Sequence, residues 1–441
     1  MFDAGALKQL ILPLLLEQIL VMLVGLVDTV MVSKVGESAV SGVSLVDMIN
    51  QLIFTILAAL ATGGAVVTSQ YIGKKEKEKA CSTANQLLYV LLFAALVVLV
   101  VSLLFARPIL SVLFGAIEDD VMSAAMAYFI ISALSYPFLA AYNAGAALFR
   151  SMSNSKVTLK MSILMNVLNV IGNTIFIFGL NMGVAGAALG SLLGRASAAV
   201  AINILLADKK NIIHYSKPQK PYVDWDDIKR ILYIGIPNGL ENGIFQMGRI
   251  IVVSIIALFG TTQIAANAVA NNFDGIGIIP GNAMMLAMIT VVGQCVGAGE
   301  YKQAAYYTKL MTAVTYITFV FWDGFLIATL PWTIQVYNLS EETLELAKLL
   351  ITIHCGMAVV LWPMSFVVPN ALRAASDVRF TMIVSITSMI VFRVLFSVIL
   401  GIHFGMGAIG VWIAMIIDWV CRSVFFVGRF KSGKWKLKKL V

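Results

Sequence analysis

Apolar runs of about 20 residues, the length of a helix that crosses a bilayer, recur along the chain between short polar breaks. They predict spans at 10–33, 42–71, 80–105, 122–148, 157–179 and 184–206, then at 229–258, 265–296, 304–330, 343–370, 380–401 and 407–428. Helices fit this pattern, whereas a β-barrel would show short alternating segments. The polar stretch DKKNIIHYSKPQKPYVDWDDIKR separates two sets of six. Two prolines break it, and Asp224 with Asp227 marks a helix start ahead of the seventh span. The expected organisation is an N-terminal six-helix lobe (1–206), a cytoplasmic linker (207–228), a C-terminal six-helix lobe (229–428) and a basic tail (429–441). The first run is too long for the apolar core of a signal peptide and lacks an A-x-A exit, so it is expected to be retained.

Charge placement orients the spans. Lys74, Lys75, Lys77 and Lys79, then Arg150, Lys156 and Lys160, then Lys209, Lys210, Lys217 and Lys220, then Lys302, Arg373 and Arg379 occupy one set of ends, with the tail RFKSGKWKLKKLV. The opposite ends hold Lys34 and Arg107 among Glu118, Asp119, Asp120, Glu341, Glu342 and Glu345. The positive-inside rule then puts both termini in the cytoplasm of a multi-pass cell-membrane protein. The net charge of +8 is thus a topology signal and implies no nucleic-acid partner. The tail, with Trp435 and Leu437 among its lysines, has two readings, a headgroup-binding segment or a plain topology signal.

The two halves match each other. Pro13 and Glu17 correspond to Pro237 and Glu241, Gly36 to Gly260, and SQYIGK (Gln70, Gly73) to GQCVGA (Gln294, Gly297), all at an offset of 224. ALFRSMSNSKVT at Arg150 corresponds to ALRAASDVRFT at Arg373 at 223, and GVAGAALG at Gly183 to GAIGVWIA at Gly407 at 224. Six spans per repeat is an even number, so the halves share one orientation, an architecture of alternating-access transporters. The fold expected is an all-α polytopic membrane protein with twelve transmembrane helices in two parallel six-helix repeats.

A composition 60% hydrophobic and 12% charged, with mean hydropathy +0.92, agrees with a polytopic helical protein. Cys81, Cys295, Cys355 and Cys421 are scattered, with no CxxC and no His/Cys cluster, so neither a disulfide framework nor a metal site is expected. No HExxH, GxSxG or paired catalytic motif occurs, so neither an enzyme nor a cofactor is expected.

Charges inside the spans carry the chemistry. A charged side chain at bilayer depth costs roughly 2.5–3.5 kcal/mol on insertion scales and therefore faces protein or a water-filled cavity. Glu17 and Asp28 stand eleven positions apart in the first span, which at about 100° per residue returns them to nearly one face. Asn169 and Asn173 share a face at i, i+4, with Asn166 a turn earlier. A low-dielectric carboxylate among amides favours a proton, whereas a bound cation favours its anion, and that competition can couple two fluxes. The alternative is a buried polar knot that only locks helices. Asp28 has no acidic counterpart in the second half, where the repeat gives Val252, with about Arg393 for Asn169 and about Phe396 for Asn173. Glu17 and Glu241 either act in transport or bind groups near the cytoplasmic interface. Asp47, Asn50 and Gln51 form a polar face on the second span. Arg249, Asp274, Asp323 and Arg393 are expected to pair with one another as a structural ion-pair set, and His354 as a hydrogen-bonded helix residue. Asn267, Asn271 and Asn272, with Phe245, Tyr136 and Trp362, suit a cavity for flat organic cations, or simple packing.

LVDTVMVSKVG, SQYIGK, and NVIGNTIFIFG followed by GVAGAALGS, with the second copies GQCVGAGE and ALRAASDVRFT, resemble the MATE (multidrug and toxic compound extrusion) family of cation-coupled antiporters. The blocks cover nearly the whole chain. The resemblance implies a monomeric exporter of small organic, often cationic and aromatic compounds, driven by transported H+ or Na+. It places the coupling site on Asp28 (with Na+ a candidate there), Asn169, Asn173 and Ser191, and a helix bend at Pro13. One subgroup has acidic residues in the seventh and tenth helices that this chain lacks, Phe245 standing at the first, so no second-lobe Na+ site is carried over. The alternative is a lipid-linked precursor flippase of the same superfamily.

Overall fold

In hydrocarbon every backbone donor and acceptor must be satisfied within the chain, which a helix does segment by segment. The computed structural model describes residues 1–115, 118–215 and 222–441, and every regular element among them is helical. Lys217 and Lys220 lie outside the described residues. The first set of elements is α1 (Ala4–Ser33), α2 (Glu37–Gly73), α3 (Lys77–Leu104), α4 (Ala106–Phe114), α5 (Asp119–Leu134), α6 (Tyr136–Ser151), α7 (Ser155–Asn173) and α8 (Gly183–Leu206). The second is α9 (Trp225–Ala257), α10 (Thr261–Gly277), α11 (Ile279–Gly297), α12 (Tyr301–Thr333), α13 (Glu341–Trp362), α14 (Val368–Ala374), α15 (Val378–Ser388) and α16 (Gly407–Lys431). Among the described residues, eleven helices are long and apolar enough to cross a membrane, or twelve with the bent pair α5–α6 as one span.

Helix starts follow the sequence. The Asp3 carboxylate accepts from the Ala6 amide at 2.6 Å, satisfying a donor that the first turn leaves open. Asp224 does the same for the amides of Asp226 and Asp227, as the linker sequence anticipates. Two spans expected to be continuous are not. The segment 122–148 bends by 44° between α5 and α6, and 265–296 divides at Ile278 between α10 and α11. Pro137 and Pro280 sit in the first turn after each break, where a missing N–H costs least.

The chain forms two compact units, Phe2–Gly239 and Leu240–Val441 with Met1. The division falls inside α9, whose first turns belong to the first unit. There the buried Asp227 accepts from Thr83 at 3.0 Å and Tyr71 at 3.3 Å, and Asn238 donates to the Ala59 carbonyl.

The repeat is written in the backbone. Left-handed conformations at Lys75, Asn181 and Gly183 return at Gly299, Gly405 and Gly407, each at the offset of 224. The π turn Thr174–Gly179 that extends α7 returns at Val398–His403, also at 224, although the preceding loops match at 223. The second repeat therefore holds one extra residue between them. It has a further π segment there, Met389–Leu395, without counterpart in α7, and a π turn is how a helix absorbs an insertion. In this register Asn173 corresponds to Ser397, not Phe396.

Lipid offers little hydrophobic drive between helices, so close packing of small residues holds them. A Cβ on Gly172 of α7 would stand 2.9 Å from the Cα of Gly190 on α8. Above this contact Val46, Leu110, Phe129 and Ala188 join α2, α4, α5 and α8 in one buried cluster.

Candidate coupling site

In the first unit α7 lies alongside α1. Ser155 Oγ donates to the Leu10 carbonyl at 2.6 Å, Thr158 Oγ1 to Glu17 Oε2 at 2.9 Å, and Asn173 Nδ2 to Asp28 Oδ1 at 2.8 Å. Both carboxylates of α1 thus face α7. Asn173 Nδ2 is also 3.4 Å from Asn169 Oδ1, and Asn169 Nδ2 donates to Ser191 Oγ on α8 at 3.0 Å. Asp28, Asn173, Asn169 and Ser191 form one hydrogen-bonded chain across three helices. Asn166 stands apart, bonded to Ser162. Pro13 lies inside α1, between Leu10 and Glu17.

Asn173 Oδ1 is buried without a hydrogen-bond partner among the described residues and lies against Gly190, where an added Cβ would meet it at 2.1 Å. With the half-buried Asp28 carboxylate, the amide oxygens and the Ser191 hydroxyl make an all-oxygen donor set. That chemistry fits a hard cation such as Na+, and the carboxylate alone fits a proton. Among the described residues no group of three or more His, Cys, Asp and Glu could hold a metal ion.

Sequence reasoning missed Arg195. It sits one turn after Ser191 on α8, donates to Ser135 Oγ at 2.7 Å and lies over the Phe54 ring at 4.5 Å. Its charge acts on Asp28, Asp47, Tyr128 and Tyr136. The rule that singled out Asp28, a charge inside an apolar run, applies equally to LLGRASAA. Asp47 accepts from Asn50 Nδ2 at 3.4 Å, and Asn50 Oδ1 accepts from the Tyr136 hydroxyl at 2.8 Å. Tyr136 is fully buried and offers no open aromatic face, whereas Gln51 is exposed.

The glutamates of the two Pro-x-x-x-Glu segments both meet the arginine of the matched loop. Arg150 Nη1 is 3.9 Å from Glu17 Oε1, and Arg373 Nη2 is 2.5 Å from Glu241 Oε1. Arg422 Nη2 stands 3.8 Å from the same Glu241 oxygen, and Arg373 donates to Asn370 at 2.9 Å.

The second-unit charges do not form the ion-pair set expected of them. Asp274 lies 2.7 Å from His354 Nε2, Arg393 lies 3.9 Å from Asp418 on α16, and Asp323 has no hydrogen-bond partner among the described residues. A span-by-span reading overlooked Asp418 and Arg422, which the packing of α16 brings inward. Phe245 is half-buried beneath Arg393 and Arg422, at 5.2 and 5.8 Å. Trp362 is buried and stacked on Phe366, Asn267 is buried and accepts from Trp412 Nε1 at 3.0 Å, and Asn271 is half-buried.

Comparisons with known proteins fit this architecture. The MatE family model matches residues 13–175 and 237–399, both ends displaced by 224 residues (237 − 13 and 399 − 175). An uncharacterized transporter of Bacillus subtilis, YisQ, is 26% identical over 438 residues, 96% of this chain and 93% of its own. A probable multidrug resistance protein, NorM, of Thermotoga maritima is 24% identical over 441 residues, covering 98% and 93%. Among solved structures, the outward-facing conformation of a multidrug resistance MATE family transporter superposes with a TM-score of 0.90 at 20% identity, over 98% of this chain and 96% of that one. A MOP superfamily transporter from Pyrococcus furiosus superposes equally well, at 21% identity over 98% and 96%. The chain belongs to the MatE family of membrane transporters.

Proposed function

We propose that this transporter is a cation-coupled antiporter that exports small organic compounds, with Asp28 as the group that takes the coupling H+ or Na+. The observation that carries this reading is the Asp28–Asn173–Asn169–Ser191 chain, which unites a half-buried carboxylate with three neutral polar groups. The description of relatives as probable multidrug resistance proteins supports drug-like substrates, and no similar support attaches to the flippase alternative.

Mechanically, a cation at Asp28 replaces the Asn173 amide as its partner, and substrate in the same cavity competes with that cation. Only a ligand with different affinity for two conformations can move the protein between them. The Asp28–Asn173 bond joins α1 to α7, so its weakening when protonation removes the charge, or its displacement by a cation, frees α1 to bend at Pro13, where the helix already lacks a backbone donor. One elementary charge crossing 100 mV is worth about 2.3 kcal/mol, enough for one inward cation to drive a modest outward gradient of a neutral compound. The distribution of lysine and arginine supports cytoplasmic termini, so the cation arrives from outside. The test is dye export from proteoliposomes under an imposed pH or Na+ gradient. Cation-driven export that persists undiminished in Asp28→Asn would falsify the coupling role.

A further inference from the structure

The second unit encloses a carboxylate that no donor relieves. Asp323 of α12 is 0% exposed, and among the described residues neither of its oxygens has a hydrogen-bond partner. One oxygen rests against Gly277 of α10, where an added Cβ would lie 2.9 Å away. The charges acting on it are His354 of α13 and Asp274 of α10. His354 is itself 1% exposed, lies 2.7 Å from Asp274, and sits edge-on to Trp412 and Trp419 at 5.6 and 5.3 Å. Cys355, next on α13, feels both aspartates. Arg249 of α9 and Arg393 act on Asp274. Of the remaining elements packed against α12, α14 brings Arg373, which is held by Glu241 and Asn370. α11 brings Cys295, whose charged neighbours are Glu300 and the chain's amino terminus.

An ionised carboxylate enclosed without donors bears its full desolvation cost, whereas the neutral acid bears only that of a hydroxyl. A metal ion would need several oxygen ligands. Among the described residues no group of three or more His, Cys, Asp and Glu could hold one, and the neighbouring His354 is already in contact with Asp274. A proton needs no cage.

We propose that Asp323 is a proton-binding site of the second unit, separate from the Asp28 cluster. The His354–Asp274 pair is its neighbouring charge, and His354 acts as a positioning residue. The proton stays while α10, α12 and α13 exclude water and leaves when their packing opens, so the second unit carries a conformation-dependent proton of its own.

Difference infrared spectroscopy on the full chain in nanodiscs, titrated from mildly acidic to mildly alkaline pH, tests this. The wild type is expected to show a protonated-carboxyl band that fades as pH rises. Asp323→Asn is expected to remove that band, and Asp28→Asn to leave it, whatever becomes of transport. No such band in Asp28→Asn, or its persistence when Asp323→Asn is added to Asp28→Asn, overturns the proposal. Displacement of the band by Na+ at constant pH overturns the choice of a proton. Should Asp323→Asn not fold, His354→Gln supplies the second reading: a shifted midpoint of the Asp323 band supports the site, and an unmoved one overturns it.

Discussion

The Asn173 side-chain amide lies 2.8 Å from the Asp28 carboxylate, so the helix that carries an internal proline is tied to α7 by a bond that depends on the charge of one group. A hydrogen bond to an ionised partner contributes about 1.5–3 kcal/mol. Asn173→Ala is therefore expected to weaken the bond's hold on the anion and change the apparent cation affinity by roughly tenfold or more. Asp28→Asn should reduce export to passive leak. Dye efflux measured across a series of cation concentrations separates the two. An unchanged half-saturation in Asn173→Ala would remove the amide from the coupling step.

Gly190 supplies a control that removes no polar group from the site. Its Cα supports Asn173 Oδ1, and a methyl there would intrude to 2.1 Å. Gly190→Ala should displace Asn173, cost about 1–3 kcal/mol in overpacking, and reproduce the transport defect of Asn173→Ala. Gly25→Ala, on α1 with nothing within 4 Å of the added atom, should be silent in both thermal unfolding and efflux.

The two repeated glutamates should differ in stability cost. Glu241 faces Arg373 and Arg422, both buried, and removing one partner of a buried pair typically costs about 3–5 kcal/mol because the other charge is left unpaired. Glu17 keeps Thr158 at 2.9 Å, with Arg150 only at 3.9 Å. Glu241→Gln should thus lower the unfolding temperature well beyond Glu17→Gln. Equal shifts would show that the two pairs are equivalent in energy as well as in sequence.

The extra residue of the second repeat makes a prediction by deletion. Removing Ile390, an exposed residue of the π segment Met389–Leu395, restores the register of the first repeat. That variant should express and unfold much like the parent. Removing Ile175, also exposed but inside the π turn shared by both repeats, should abolish folded protein. Size-exclusion profiles of the two deletions decide it.

Much of this was legible in the sequence because bilayer chemistry leaves a helix few choices. Apolar length marked the spans, and the repeated Pro-x-x-x-Glu and loop arginines marked the register. The meeting of Asp28 with Asn173, Asn169 and Ser191 was anticipated from family resemblance and helical spacing. What stayed hidden depends on packing between elements distant in sequence. Arg195 reaches Asp28 and Asp47 only because α8 lies beside α1, α2 and α5. Asp274 meets His354 in preference to the arginines expected to pair with it, because α10 packs on α13. The one-residue slip between offsets 223 and 224 was visible, but its place in a π segment needed the backbone.

The π turns have a mechanical consequence. A Cβ on Gly186 would lie 2.8 Å from the Phe176 carbonyl carbon, and one on Gly410 would lie 2.7 Å from that of Leu400. In both units the widened turn is thus pressed directly onto the backbone of the next helix. A joint of backbone on backbone leaves no side chain there to slide or repack, so at this point the last two spans of each repeat are expected to move together. Flexing must then be taken up elsewhere. In the first unit the member that meets this pair of spans through a breakable polar bond, and carries its own flaw at Pro13, is α1.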